Sequence, residues 1–584
     1  TAATMGLSSM KGWLLLATLF VTASAMEEET YSASDLACAV MLLGSISFMM
    51  GVFYLTNHSD DDFKMYSWNT ISSTISIFCA VLLFQGVQGV VEYQFLEEGE
   101  NDLTVAFLHL MAWCLLLQLS LAFISGAVSF PCCDSSSEEN QEPLLEALDV
   151  EDQDAQQQLY LEEESKKISM GVSMSSVAVL AGHITGFAAI SAWGELQQMK
   201  VLGPDLHLLW TWLVVPLTFL GLSSFFKLTF KLRERVFLMD DEKDYKEEAW
   251  DEYAKETEDD VIGLAISFLC VQCLRFTIVG KLPNVEGEEE GKDASHHSNL
   301  DALILFLTSL IFVAVQAVKS LIWKSDSRMG AQISNIVSMA ISWTLFFTIQ
   351  WEIDANAPDS VQGMLKKVYQ AIIVTGVCFC SIFFIDKLAD ADWTGEETDK
   401  MLRTIILSFG ILIGFSWEQC FDISVAIFSH VHGALKPVAI MKLVLSVGLC
   451  TVVVPAWVFY ILPVVVQYEV KEKEEEEKEK AEEEIKEKIE AIVQTQKNAT
   501  KLDDVARLKE LRAWIRKSEQ KHLELKKRAE QYQKDADEHK KNANMHQSSI
   551  GELRAQNFHL KGLMKTLPQE ILEIHKLVEG LTTA

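Results

Sequence analysis

The sequence is short of basic residues. Lys and Arg number 49 against 82 Asp and Glu, which gives the 584-residue chain a formal net charge of −33. Proteins that bind nucleic acids need clustered Lys and Arg to displace counterions from the phosphates. The charge balance therefore argues against a nucleic-acid-binding protein.

The chain also lacks the patterns of a disulfide-stapled domain and of common enzymes. Nearly all of its 11 cysteines lie inside apolar runs, so no secreted disulfide framework is visible. A Walker A motif, a nucleophile elbow and a zincin motif are missing. The pair Cys270 and Cys273 lies within an apolar run, and His296 and His297 have no convincing further ligands. We therefore expect no metal, no cofactor and a non-enzymatic function, although an enzyme acting within the membrane stays open.

Long apolar runs are what the sequence does contain. Hydrophobic residues make up 49% of the chain and the mean hydropathy is +0.16, which is too apolar for a disordered acidic protein. Eleven runs approach the roughly 20 residues that a membrane-spanning helix needs. They lie at about 36–55, 71–91, 104–128, 168–192, 206–229, 261–280, 301–323, 331–351, 369–385, 404–428 and 438–467. This pattern predicts an all-α polytopic membrane protein with about 11 transmembrane helices.

The two ends of the chain differ from this membrane part. Residues 1–25 are typical of a leader remnant and a signal peptide, with a basic residue, a short apolar run and small residues at the end. Residues 468–546 are dense in charge with spaced apolar positions, which favours a helical hairpin or coiled coil, and 547–584 favour short amphipathic helices. Signal-peptide cleavage and 11 helices together predict a cytosolic tail and a membrane of the secretory pathway, either plasma membrane or endomembrane.

Acidic segments separate several of the apolar runs. Segments 129–168 and 231–260 are rich in Asp and Glu. A shorter acidic stretch, 281–298, is predicted on the opposite side of the membrane. Such composition predicts solvated connecting loops. Within the first of them, Cys132 and Cys133 are either palmitoylation candidates or a plain pair at the membrane boundary.

Two groups of helices share a motif that indicates an internal repeat. The fourth and tenth runs each contain Gly-x-x-x-Gly-Phe, and the run after each contains Val-Val-Pro. Small residues four apart let helices approach closely, and proline inside a helix produces a kink. The positions are Gly182, Gly186 and Pro216 in the first copy and Gly410, Gly414 and Pro455 in the second. We predict two parallel five-helix repeats, 26–230 and 301–467, joined by 231–300 with a connector helix at 261–280.

Four ionisable residues fall at a similar depth inside apolar runs. Glu418 lies about 21 Å along a core of about 30 Å, and Arg275, His183 and Lys442 reach a comparable level. A charge there costs several kcal/mol unless it is paired or solvated. Asp422 follows Glu418 by four residues and shares its helix face.

These residues lead to a functional hypothesis with one structural and one functional alternative. In the hypothesis the protein is a transporter or channel for a cation or a proton-coupled solute, in which Glu418 and Asp422 bind the ion, Arg275 and Lys442 tune their proton affinity, and His183 relays protons. A buried Glu418–Arg275 pair that only fixes helix packing is the structural alternative. The functional alternative is a membrane-anchored scaffold that binds a cytosolic partner, or itself, through 468–546. Three further acids are predicted to be interfacial: Glu92, Glu195 and Glu352.

Overall fold

A computed structural model gives the arrangement of most of the apolar part of the chain. The residues that it describes are 33–95, 102–127, 153–237, 245–289, 297–322, 328–357, 363–389, 396–431 and 438–471. The predicted signal peptide, Cys132 and Cys133 and the predicted hairpin tail beyond residue 471 lie outside these described residues. Within them the fold is all-α, without a strand.

Eleven helices correspond one by one to the 11 predicted apolar runs. They are α1 (Ala33–Thr56), α2 (Asp61–Phe95), α3 (Asp102–Ser125), α4 (Gln153–Gln198), α5 (His207–Phe237), α6 (Tyr245–Val279), α7 (Asn299–Ile322), α8 (Arg328–Asn356), α9 (Met364–Ala389), α10 (Glu396–Val431) and α11 (Val438–Ala456). The helices that are long and apolar enough to cross a membrane number 10 among the described residues, while α1 contributes a shorter apolar stretch, Leu42–Thr56. The fold is therefore compatible with a polytopic membrane protein.

Two helices begin well inside segments whose composition predicted acidic loops. Helix α4 begins at Gln153 and α6 at Tyr245, so the loop prediction was wrong for the later part of each segment. On α6 two of these acids meet a base of the preceding helix: fully buried Glu258 accepts a hydrogen bond of 2.6 Å from Arg233 Nη1, and Asp251 Oδ1 lies 3.7 Å from Arg233 Nε. Counting charges along the sequence does not reveal such partners, because Arg233 belongs to the preceding helix.

The helices form two concentric shells. Helix α2 packs on α4, α4 on α6, α6 on α8, α8 on α10, and α10 returns to α2, which closes a ring of five. The odd-numbered helices pack against the outside of this ring. Between 44% and 72% of the most apolar stretch is buried in the ring helices, against 22% to 39% in α3, α5, α7, α9 and α11. The ring is therefore the core, and the outer helices carry most of the apolar surface.

All five ring helices run in the same direction. Along α2 and α10, Ser73 adjoins Gly410 and Gln85 adjoins Asp422, so both chains advance together. Other neighbouring ring helices show the same order. For α4 and α6 the pairs are Gly182 with Thr257 and Gly186 with Leu264, and for α6 and α8 they are Asp260 with Asn335 and Phe268 with Phe347. For α8 and α10 they are Ser342 with Ser408 and Trp343 with Phe415. The outer helices alternate with them, since Ser72, Cys79 and Gly86 of α2 meet Trp457, Cys450 and Leu443 of α11 in reverse order. The carboxyl ends of the ring helices thus share one face.

Both Gly-x-x-x-Gly motifs lie at close contacts between ring helices, but with unlike partners. Gly182 and Gly186 face α6, whereas Gly410 and Gly414 face α2. In the predicted repeat each helix of the first copy corresponds to the helix six places later, so α4 corresponds to α10. The partner of α4 is α6, and its counterpart would be a twelfth helix. In the ring, α2 is the partner of α10 instead. The two five-helix repeats therefore stay a prediction.

The two prolines of the predicted repeat lie inside helices of the outer shell. Pro216 is within α5, and Pro455 is near the end of α11. A π-helical turn, Trp457–Ile461, begins two residues after Pro455, and the chain then stays helical to residue 471. Proline removes a backbone donor, and a wider turn is one way in which a helix accommodates the break.

Candidate functional site

A cavity of about 180 Å³ lies toward the carboxyl ends of the ring helices. Its walls come from α2, α4, α6 and α10, and residues 280–289, which follow α6, form its remaining side; we call these residues the covering segment. One water molecule occupies about 30 Å³ in the liquid. The cavity therefore has room for several waters or for a small solute.

One half of the cavity is aromatic. Phe84, Phe187, Phe268 and Phe415 line it, one from each contributing helix. The rings of Phe187 and Phe415 stack with centroids 6.1 Å apart, and the ring of Trp343 meets Phe415 edge-on at 5.0 Å. These rings belong to the main core cluster, so they close the axis of the ring on the amino-terminal side of the cavity.

The other half of the cavity is acidic and contains an unsatisfied carboxylate. Glu418 is fully buried, and its Oε2 has no hydrogen-bond partner in the structure. With its amide nitrogen turned toward the acids, Gln85 donates to Asp422 Oδ1 at 2.7 Å and to Glu418 Oε1 at 3.3 Å. A buried carboxylate that lacks partners is costly, and a proton or a nearby cation removes the cost.

Two lysines neutralise part of the acidic half. Lys442 Nζ lies 2.5 Å from Asp422 Oδ1, and Lys367 Nζ lies 3.2 Å from Glu288 Oε1. Glu418 and Glu286, which also line the cavity, form no salt bridge within 4.0 Å to any described residue. The two lysines thus pair with Asp422 and Glu288 and leave Glu418 and Glu286 without a basic partner among the residues that the structure describes.

Glu286 belongs to the covering segment and has an altered proton affinity. Its side chain reaches the surface, yet the surrounding protein reduces its hydration. This loss of hydration and the neighbouring charge of Glu288 raise the pKa of Glu286, while Lys442 opposes the change. Glu286 thus holds a proton at higher pH than an ordinary glutamate.

Arg275 does not pair with Glu418. It is fully buried and binds the covering segment instead, with Nη2 2.5 Å from Glu289 Oε1 and Nη1 2.8 Å from the carbonyl oxygen of Gly287. Its guanidinium carbon lies 3.8 Å from the centroid of the Phe347 ring. The predicted structural alternative, a Glu418–Arg275 pair, is therefore not formed.

Glu289 holds the covering segment in place. Besides Arg275, it meets His297 Nε2 at 2.5 Å and accepts a hydrogen bond from Trp351 Nε1 at 3.0 Å. Burial raises the pKa of Glu289, but the His297 contact and the charge of Arg275 outweigh it and lower the pKa to about 2. Glu289 is therefore ionised over the whole physiological range.

His183 lies apart from the acidic residues. Its Nδ1 is 3.3 Å from Ser76 Oγ on α2, one turn before Phe187 on α4. Because Phe187 is level with Phe415, the layer of stacked rings separates His183 from Glu418. The structure therefore does not bring His183 together with Glu418, and its membrane depth stays a prediction.

The three acids predicted to be interfacial lie outside the lining of the cavity. Glu92 accepts a hydrogen bond of 2.7 Å from Gln88, and exposed Glu352 accepts one of 2.9 Å from Asn356. Glu195 is half-buried near the end of α4. Of these three, Glu92 comes closest, because its partner Gln88 lines the cavity.

Sequence reasoning missed several lining residues. Gln85 and Gln88 are one turn apart in an apolar run, a signal that could have identified a polar stripe on α2. Glu286 and Glu288 looked like part of a solvated loop, because nothing in the sequence indicates that this segment folds back over the ring.

Neither metal-ligand geometry among the described residues nor similarity to known proteins identifies the site. Within the described ranges, no group of three or more His, Cys, Asp and Glu side chains is arranged to hold a metal ion. No family model, curated protein or solved structure matches the chain.

Proposed function

We propose that the protein is a multi-pass membrane transporter that moves a cation, or a solute coupled to protons, with Glu418 as the binding carboxylate. The observation that carries the proposal is the buried, unpartnered Oε2 of Glu418 beside a cavity that accommodates a solute. Stability alone does not account for this arrangement, because an apolar residue at this position avoids the cost of desolvation.

Competition between a proton and a cation at Glu418 is the chemical basis of the proposal. Either species neutralises the buried carboxylate, so binding of one favours release of the other. Asp422 is held by Lys442 and by Gln85, so it positions the amide of Gln85 rather than serving as the main binding group. Glu286 offers an entry point at the surface end of the cavity.

The stacked rings favour a transporter over an open channel. Phe187, Phe415 and Trp343 fill the ring axis beyond the cavity, so a solute needs a rearrangement of helices to pass. Polar pairs occur on the far side of this layer, such as Asp260 with Asn335 at 3.1 Å. A binding site that is closed on one side is the arrangement that alternating access requires.

Flux through reconstituted protein tests the proposal. The full chain is placed in liposomes that contain a pH-sensitive dye, and proton movement is followed after a gradient of Na⁺ or K⁺ is imposed. We expect a protein-dependent flux, and we expect Glu418→Gln to reduce it by at least about tenfold, because the amide can neither exchange a proton nor neutralise a cation.

Glu352→Gln is the matched control, since it makes the same chemical change at an exposed acid outside the cavity. This variant should keep the flux of the unmodified protein. Equal flux for Glu418→Gln and the unmodified chain would show that Glu418 is not the binding carboxylate. Absence of flux of both ions would contradict transport of Na⁺ or K⁺ through the cavity.

A further inference from the structure

The cavity joins two chemically different halves, and this supports a more specific ligand class. The inference rests on the proposed function, because it concerns the same site. Glu418 and Glu286 provide carboxyl groups without a paired lysine, while four phenylalanine rings provide an apolar surface. Pockets of this kind recognise ligands by burying an apolar body and fixing it with a few polar groups.

An inorganic cation would use only one half of this cavity. It would be attracted to the carboxylates, but the aromatic rings would only face the water bound to the ion. An organic cation uses both halves, because its charge attracts Glu418 and its carbon skeleton displaces water from the rings. Faces of aromatic rings also attract an ammonium group directly, most strongly where water is excluded.

We propose that the cavity binds a small organic ammonium ion, with the ammonium group at Glu418 and the apolar body against the stacked rings of Phe187 and Phe415. The dimensions agree, because about 180 Å³ is several times the space of one water molecule. Gln85 turns its amide nitrogen toward both acids, so it fixes the carboxylates without neutralising their charge.

Calorimetric titration of the full chain in non-ionic detergent tests the inference with n-butylammonium as the probe. n-Butanol has the same apolar body without the charge, and Na⁺ has the charge without the body. We expect n-butylammonium to bind at least about tenfold more tightly than either comparator, because only this probe uses both halves.

Three variants locate the binding. Glu418→Gln should weaken n-butylammonium binding by about tenfold or more, whereas Glu418→Asp, which keeps the charge, should retain most of it. Phe187→Leu should weaken it several-fold by removing one ring of the cavity. Phe346→Leu is the matched control, because Phe346 is buried in the same aromatic cluster but does not line the cavity. The unfolding temperature of each variant verifies that it is folded.

Three results would overturn the inference, and the first two concern binding alone. One is n-butanol binding as tightly as n-butylammonium, and the other is unchanged n-butylammonium binding by folded Glu418→Gln protein. Ion flux that depends on Glu418 without any binding of n-butylammonium also overturns it but leaves the proposed function standing. Binding of n-butylammonium without any ion flux would support the ammonium site and contradict the proposed transport function.

The ammonium group could belong to a free amine or to a lipid headgroup, and nanodiscs separate these sources. The titration is repeated in phosphatidylglycerol with and without phosphatidylethanolamine. A free amine as the ligand predicts the same n-butylammonium affinity in both. A headgroup ligand predicts weaker binding where ethanolamine lipid competes, and either result supports recognition of ammonium.

Discussion

Two fully buried charged residues, Arg275 and Glu418, illustrate how differently the protein treats charge in its core. Arg275 binds a carboxylate, a carbonyl oxygen and an amide oxygen, and it lies against an aromatic ring. Glu418 keeps one oxygen without any partner. A charge held by several partners is typical of structural support, and Arg275 has three, although its Nε has none. A carboxylate oxygen left without a partner beside a cavity is typical of a binding site.

Sequence reasoning could identify these two residues as ionisable groups inside apolar runs but not their partners. The apolar residues on both sides of Glu418 and Arg275 determine how far each lies from the helix ends. Which neighbour each one meets depends on the path of the covering segment, which supplies Glu289 to Arg275. A segment that folds back through contacts with its own helix leaves no periodic pattern in the sequence.

At the scale of single residues, Glu289→Gln should make stability less dependent on acid pH. The pKa of Glu289 in the fold, about 2, is below its ordinary value of 4.5, so ionised Glu289 stabilises the folded state. This contribution, on the order of 3 kcal/mol, is complete above about pH 4.5 and is lost as the pH falls toward 2.

Thermal unfolding between pH 7 and pH 3 measures this effect in the unmodified protein and in Glu289→Gln. The variant should unfold at a lower temperature at pH 7, and the difference should shrink as the pH falls. A constant difference across this range would mean that the ionisation of Glu289 does not stabilise the covering segment.

At the scale of helices, close approach within the ring depends on glycine where backbones meet. A β-carbon on Gly414 would lie 3.0 Å from both the Cα and the carbonyl oxygen of Thr74, so the backbone of α2 would have to move. At Gly182 the nearest atom is the side-chain methyl of Thr257, which a rotation can displace. The sequence motif predicted close packing at both places. It could not identify the partner helix, because the partner depends on how the ring of helices closes.

Gly414→Ala should therefore lower the free energy of unfolding by about 1–3 kcal/mol, the usual range for an overpacked contact. Gly448→Ala on α11 is the control, because no atom lies within 4 Å of the added carbon. That variant should be neutral or slightly stabilising, since alanine favours helix over glycine by about 1 kcal/mol. Equal unfolding temperatures for the two variants would contradict the contact between α10 and α2.

The early start of α6 depends on the charge pairs that it forms. Glu258→Gln removes the closest acid from Arg233, which is only 2% exposed, and should cost about 3–5 kcal/mol because a buried charge is left without its main partner. Glu248→Gln is the control at an exposed acid on the same helix. Chemical unfolding of the two variants measures the difference, and a loss of similar size in both would contradict a specific role of the pair.

At the scale of the whole molecule, the two shells differ in what they present to their surroundings. Large exposed apolar side chains concentrate on the outer helices, with Leu115 and Leu119 on α3, Leu217 and Leu220 on α5, and Ile311 on α7 as examples. The number of apolar runs was predictable from hydropathy. Their division into shells was predictable only in part, because the mean hydropathies of the outer helices, 1.7 to 2.4, overlap with those of the ring helices, 1.3 to 2.0.

A lipid-soluble carbene reagent should therefore label the outer helices preferentially in proteoliposomes. We expect peptides from α3, α5 and α7 to carry several-fold more label than peptides from α4 and α6, when mass spectrometry quantifies the adducts. Reagent in detergent-unfolded protein provides the reference for intrinsic reactivity. Equal labelling of both groups in the bilayer would contradict the arrangement in two shells.

The common direction of the ring helices has an electrostatic consequence. Each α-helix carries a dipole with about half a negative charge at its carboxyl end. Five such ends gather on the side of the covering segment, near the axis, whereas the amino ends of the antiparallel helices lie farther out. The backbone therefore adds a negative potential to that of Glu286 and Glu418, so cations would be drawn toward this mouth even before they meet a carboxylate.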